Sequence, residues 1–258
     1  MGIITLTTDW QPDDFFSGAV TGRILSLCPD ARVVDLARSI SPFQLSQAAF
    51  VLQHSYRHFP AGTVHICGVM AETQQLPLLV HHDKHFFLLP DNGIAGMLFP
   101  EGPAETYRLK NIQEETLFPV LDQMVPVACE LLRGKKPGSL GEPVSDMKIS
   151  RPVHAAIDEG IITGLVVHID SYSNLITNIT RKLFQRVGRD RPFEIFPGTG
   201  SLSYRITRLN RHYYETPVAD IFALFNSLDL LEIGIAHGNA AELLGVTTQS
   251  QIRIRFKE

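Results

Sequence analysis

Between Asp170 and Asn178 the chain reads Asp-Ser-Tyr-Ser-Asn-Leu-Ile-Thr-Asn, a carboxylate, an aromatic ring and side-chain amides within nine residues. A carboxylate can hold an ammonium group, a ring can stack on a flat heterocycle, and an Asn can pair with a base edge through one donor and one acceptor. The set suits a zwitterionic ligand carrying a nucleobase. The same residues also make an Asx-rich turn between two strands. Asp9 closes the apolar run Ile3 to Thr7, where a carboxylate can accept from both hydroxyls of a ribose. Asp13 and Asp14 precede a helical pattern and serve equally well as N-terminal charges or caps. Asn226-Ser227 follows another apolar run. Gly238 to Glu242 opens a short helix, whose free N–H groups can meet a ligand acceptor or an ordinary cap.

Other chemistries find little support. His81, His82 and His85 are the one histidine cluster, but they straddle a His-Asp-Lys turn with only Asp83 beside them, so solvated turn histidines and no metal are expected. No GxGxxG follows the first strand, which argues against a dinucleotide site. No nucleophile elbow or Ser/His/Asp order is visible.

The elements that must position these residues change character along the chain. Up to residue 134, short apolar strands (Ile3 to Thr7, Arg32 to Leu36, Thr63 to Cys67, Leu76 to Val80, His85 to Leu89) alternate with helical spacing at Phe16 to Leu27 and Ser46 to Tyr56, and again at Met124 to Leu132. That alternation predicts an α/β domain of parallel, layered type, with ligands at the carboxyl ends of its strands. Residues 135–153 are rich in Gly, Pro and Ser and read as a linker. From 154 to 258, strands near 160–169, 175–178, 193–196, 204–206, 221–225, 230–235 and 251–256 are divided by turns. Only one short helix, near Ala240, is expected among them, so this half reads as a small all-β barrel or sandwich.

Composition bounds the function. With 258 residues, 44% apolar and 19% charged, the chain can bury a substantial core in one or two domains. A net charge of −4 with no Lys/Arg run gives no case for nucleic acid. Cys28, Cys67 and Cys129 lack CxxC spacing and read as buried thiols of a reducing compartment. No signal peptide or bilayer-spanning run is visible, so no membrane partner and a cytoplasmic location are expected.

In order along the chain, Thr7-Thr8-Asp9-Trp10 with Asp14, Phe16 and Gly18, then Cys28 to Asp35, Ala48 to Phe50 and Tyr56 to Val64 resemble the opening units of the S-adenosylmethionine hydroxide adenosyltransferases. This family, also called S-adenosylmethionine hydrolases, is related to fluorinase and chlorinase. Pro90 to Gly93, Asp170 to Ile179, and Asn226-Ser227 with Gly238 to Gly245 complete the resemblance. It implies a Rossmann-like α/β domain followed by a small C-terminal β-barrel. It also implies a homotrimer with the ligand held between subunits, and S-adenosylmethionine as substrate or ligand with no further cofactor. Carried over by position, Asp9 would hold the ribose hydroxyls, and Asp14 and Asp170 would lie near the methionine ammonium. Phe43 would sit beside the ribose, Tyr172 would pack on adenine and Asn174 would pair with its edge. Ser227 would touch the methionine carboxylate, and backbone near Asn239 and Ala240 would complete the pocket.

The departures bear on activity. Family hydrolases carry Asp-Pro-Gly-Val-Gly and an Arg after strand three, and Phe-His-Gly-Arg-Asp before a helix, with the Asp, Arg and His assigned to water. Here strand three leads into Gly68 to Pro77, with Glu72 as its one acidic residue, and the second motif reads Phe118-Pro119-Val120-Leu121-Asp122. Displacing methionine from C5′ needs no acid, because a sulfonium leaves as a neutral sulfide. The water must still be aimed and relieved of a proton. Val120 stands where fluorinase places a Ser hydroxyl, which argues against a halogenase. The expectation is an adenosyl-ligand binder with weak or absent hydrolysis. A divergent hydrolase using Glu72 or a partner-subunit residue, and a non-catalytic sensor or assembly protein, are the alternatives.

Overall fold

The N-terminal apolar run forms the interior strand β1 (Ile3–Thr7), whose residues from Ile4 onward are buried. The structure is a computed structural model and describes residues 2–11, 13–37, 40–103, 105–113, 115–198 and 204–257. Two units meet in sequence at Pro152 and Val153.

In the first unit, β1 pairs in parallel with β2 (Arg32–Ala37) and β3 (Val64–Cys67), and β3 pairs in parallel with β5 (His85–Leu89). Beyond β5 the sheet turns antiparallel, through β4 (Leu78–His82), β6 (Glu105–Leu109) and β7 (Gly141–Pro143), in the order β2-β1-β3-β5-β4-β6-β7. The expectation of a parallel sheet therefore holds for four strands, and the whole is a mixed α/β sheet. The β4–β5 hairpin is the cause. Asp83 and Lys84 both take positive φ, a two-residue turn that returns the chain beside itself and reverses the direction of the next pair. Helices α1 (Phe15–Leu27), α2 (Leu45–Ser55), α3 (Ile94–Leu98) and α4 (Val125–Leu132) bury Val20, Ile24, Ala48, Leu52, Ile94 and Ala128 in two apolar clusters.

Part of the segment read as a linker is folded. Residues Pro137–Leu140 form the short helix α5, and β7 closes the sheet edge on β6. Ser150 packs against Gly93, which has φ +105°; a Cβ there would meet Ser150 Oγ at 2.3 Å, so only glycine fits the turn.

The second unit is an antiparallel sheet in the order β11-β14-β9-β10-β13-β12, with β8 beside β9. Its strands are β8 (Ala156–Asp158), β9 (Ile161–Ile169), β10 (Leu175–Thr180), β11 (Phe193–Pro197), β12 (Ile221–Phe225), β13 (Leu230–Ile235) and β14 (Gln251–Phe256). No ladder joins the end strands β11 and β12 among the described residues, so the path is open where a barrel was expected. The strand expected at 204–206 is reduced to one bridge, Ile206 to Ile195. Helix α6 (Arg181–Gly188) was not expected. Thr180 caps it by accepting the Leu183 N–H at 3.1 Å, and it lays Leu183, Phe184 and Val187 on the sheet's core. Eight residues give too short a period to stand out beside the strands.

Candidate functional site

At the carboxyl end of β1, Asp9 is half-buried and its Oδ2 accepts the Phe43 backbone N–H at 3.0 Å. The structure thus brings together two residues expected near a ribose. Phe43 holds φ +65° with its ring 71% exposed, so the ring is presented outward rather than packed. Beside them Cys67 ends β3, where burial, with Asp9's charge adding to it, pushes the thiol up to about 12 and leaves it protonated. Asp14 is exposed and accepts the Gln11 N–H at 2.9 Å, closing the turn before α1; it makes no side-chain cap bond to the helix.

The ground where water activation would be sought is apolar. A Cβ on Gly68 would meet Thr8, Val120 and Trp10 at 3.1–3.3 Å, so these side chains converge on the residue that follows β3. Trp10, Phe16 and Phe118 pack edge-on or tilted with ring centres 5.4–5.6 Å apart. Pro119 leads into a π-type turn at Val120–Met124 that opens α4, and Val120 is buried. Glu72 is exposed in the loop after β3. That loop is held by Asn92, whose amide donates to the Val69 and Met70 carbonyls at 3.1 and 3.0 Å. Its neighbour Asp91 takes Arg108 at 2.7 Å and the Lys148 N–H at 2.8 Å, so the Pro90 to Gly93 turn acts as an internal clamp.

In the second unit, the Asp170 to Asn174 turn forms one wall of a pocket of about 950 Å3. Asp170 Oδ1 accepts the Tyr172 and Asn174 N–H groups at 2.9 and 2.8 Å, so the Asx turn and the pocket wall are the same structure. Ser173 takes φ +64°, the left-handed conformation a glycine would adopt freely, and its carbonyl accepts the Ala241 N–H. Tyr172 stands 77% exposed. The other walls come from Tyr213, Tyr214, Phe222 and the segment Ile235 to Gly238. Tyr213 and Phe222 meet edge to face at 5.7 Å. None of these aromatic residues was singled out from the sequence; the doublet Tyr213-Tyr214 was the available signal.

Asn174 is 8% exposed, and its side-chain nitrogen donates to Glu232 Oε1 at 3.1 Å and to Asp170 Oδ2 at 3.4 Å. Glu232, 3% exposed, also accepts from Asn226 at 3.0 Å and from the Tyr213 hydroxyl. Burial raises the Glu232 carboxyl above its ordinary value, and Asp170's charge adds to it against the lowering effect of these bonds. Burial likewise pushes the Tyr213 phenol up to about 12.

Ser227 is exposed in the turn joining β12 to β13 and does not line this pocket. Asn239 caps the short helix α7 (Ala240–Leu243), accepting the Glu242 N–H at 3.0 Å, and Ala240 is buried in the core. It is Gly238, just before them, that reaches the pocket. His85, expected in solvent, is buried and meets His65 at 3.2 Å because β5 carries it under the sheet. Among the described residues no His, Cys, Asp and Glu group could hold a metal, and no helix is long and apolar enough to cross a membrane.

The chain matches the SAM hydroxide adenosyltransferase N-terminal domain over residues 4–141 and the C-terminal domain of the same description over residues 164–253. It is 28% identical to the (R)-S-adenosyl-L-methionine hydrolase of Methanocaldococcus jannaschii, across 99% of this chain and 97% of that protein. A fluorinase of an Actinoplanes species is 22% identical, across 72% of this chain and 74% of its own. An uncharacterized conserved protein from Thermotoga maritima shares the fold with a TM-score of 0.86 at 22% identity, covering 98% of this chain and 99% of its own.

Proposed function

The chain belongs to the SAM hydroxide adenosyltransferase family, and from that premise we propose that it binds S-adenosylmethionine or adenosine and hydrolyses the former slowly at best. The observation that carries the reading is the pocket wall of Asp170, Tyr172 and Asn174 faced by Tyr213 and Phe222. It offers rings for a flat base and one amide to read the base edge. Asp9 and Phe43 supply a carboxylate and a ring for a ribose. Asp170 Oδ2 keeps lone-pair capacity for an ammonium, since its one bond, to Asn174, is long. The proposed assembly is a homotrimer in which each ligand takes contacts from two subunits.

In the reaction the water oxygen would form a bond to C5′ as the C5′–S bond breaks. The electron pair goes to sulfur, which leaves as neutral methionine, and the water gives up its proton. Pro119 and Val120 have no side-chain donor or acceptor for that proton, and Glu72 is exposed. General acid–base help is worth typically ~10²–10⁴-fold, and its loss supports binding with little turnover. The relatives named hydrolase are 25–28% identical over 96–99% of this chain, against 22–23% over 72–91% for those named fluorinase, which supports hydrolysis over halogenation as the residual activity. Titration calorimetry with S-adenosylmethionine and with adenosine, paired with mass spectrometry of released adenosine, tests the reading. Micromolar binding with slow release is expected, and no binding of either compound at millimolar concentration overturns it.

A further inference from the structure

We propose that Glu232 is a positioning residue that locks the Asn174 amide with its oxygen toward the pocket, so that the site selects a base edge bearing a hydrogen-bond donor. The inference rests on the adenosyl-ligand reading above and concerns what decides its specificity.

A free Asn side chain can be turned either way, with oxygen and nitrogen exchanged. Here two carboxylates, Glu232 Oε1 at 3.1 Å and Asp170 Oδ2 at 3.4 Å, face the same end of the amide. Glu232 accepts the Asn226 amide on its other oxygen, and carboxylate oxygens accept, so the Asn174 nitrogen points at them and its oxygen away. The oxygen lies over Gly234 on β13. A Cβ there would stand 2.3 Å from both Asn174 Oδ1 and the Phe222 ring, so the missing side chain leaves oxygen and ring side by side. Asn174 and Phe222 both line the pocket. With its nitrogen engaged, Asn174 offers a ligand an acceptor and no donor. The exocyclic amine of adenine satisfies that acceptor. The 6-carbonyl of hypoxanthine would place oxygen against oxygen and leave a buried acceptor unpaired.

Glu232→Gln is the discriminating change, because it replaces one accepting oxygen with a donating nitrogen at nearly constant shape. Asn226, on the other carboxylate oxygen, cannot turn to suit that nitrogen: its own oxygen accepts the Leu228 and Leu230 N–H groups at 2.9 and 3.3 Å. The Asn174 oxygen has no such backbone anchor among its bonds, so the Gln nitrogen draws it round, and what opposes the turn is the long 3.4 Å bond from the Asn174 nitrogen to Asp170.

Calorimetry of adenosine and inosine against the full-length protein and its Glu232→Gln variant reads the lock. Wild type should prefer adenosine by roughly 10- to 100-fold, and the variant should lose most of that ratio through weaker adenosine and stronger inosine binding. Equal weakening of both nucleosides, or an unchanged ratio, overturns the proposal while the adenosyl reading stands. Binding of neither nucleoside by wild type overturns both. Where the variant does not fold, side-chain amide exchange by NMR in the ligand-free wild type decides. The Asn174 amide protons should exchange far more slowly than those of exposed Asn111, and equal rates overturn the lock.

Discussion

Asp9 Oδ2 accepts the backbone N–H of Phe43 at 3.0 Å, joining the carboxyl end of β1 to a residue 34 positions later in the turn before α2. Phe43 sits at φ +65°, a conformation that costs a non-glycine residue energy and persists when its surroundings hold it there. One carboxylate therefore shapes the loop through one oxygen, and in the proposed function its second oxygen is the one for a ligand.

Asp9→Ala should remove both roles. A hydrogen bond to a charged group contributes about 1.5–3 kcal/mol, and adenosine binding should weaken by that order. Asp9→Asn keeps an acceptor for Phe43 and should fall between wild type and Ala. Calorimetry beside a thermal melt checks this: equal affinity in all three proteins would remove Asp9 from the ligand site.

Tyr172→Ala should reduce adenosine affinity by roughly 1–3 kcal/mol, the range for loss of base stacking on an aromatic side chain. With 77% of the residue exposed, little packing is lost and the melting temperature should hold. A melt shifted without change in affinity would make Tyr172 structural.

Pro119→His should speed adenosine release from S-adenosylmethionine, within the ~10²–10⁴-fold typical of general acid–base help. Pro119 has helical backbone angles, φ −56° and ψ −35°, which histidine adopts without strain. Glu72→Gln should leave release unchanged. Single-turnover assays separate the two, and a rate that collapses in Glu72→Gln would restore Glu72 as the base.

The buried pair His65 and His85 should set an acid limit on the first unit. His65 accepts or donates to Thr5 at 2.7 Å and meets His85 at 3.2 Å, and burial, reinforced by His85, holds it down at about 3. The unfolded chain takes up its proton near 6.5 while the folded protein does not. Stability is therefore present in full above about 6.5 and declines as pH falls toward 3, by about 1.4 kcal/mol per pH unit from this group. Denaturant titrations at pH 7, 5.5 and 4.5 should show the decline, and His65→Gln should flatten it. An unchanged slope in that variant would place the acid sensitivity elsewhere.

Strands β12, β13 and β14 fall at the residues that apolar runs and turn signals assigned to them, because period and punctuation are local properties of a chain. The Asp170 turn was legible for the same reason: its hydrogen bonds close within four residues. The mixed direction of the first sheet was not: the β4–β5 turn is local, but it is the pairing of β5 with β3 and of β4 with β6 that builds the hairpin into the sheet. Nor was β7, whose three residues gain a partner only when β6 lies beside them.

The residue types along the chain, with the family resemblance they carry, were enough to raise the expectation of an adenosyl-like ligand set and to show the lack of a proton acceptor at Pro119 and Val120. Which atoms of that set remain available was decided by tertiary structure alone. Glu232 lies 58 residues from Asn174, and β13 must pair with β10 before the carboxylate can take the amide nitrogen. The same pairing sets Gly234 beneath the Asn174 oxygen, and the β12–β13 pairing sets the Phe222 ring beside it. A side chain's chemistry is a property of its sequence position, but the direction in which it is free to act depends on the neighbours that folding brings to it.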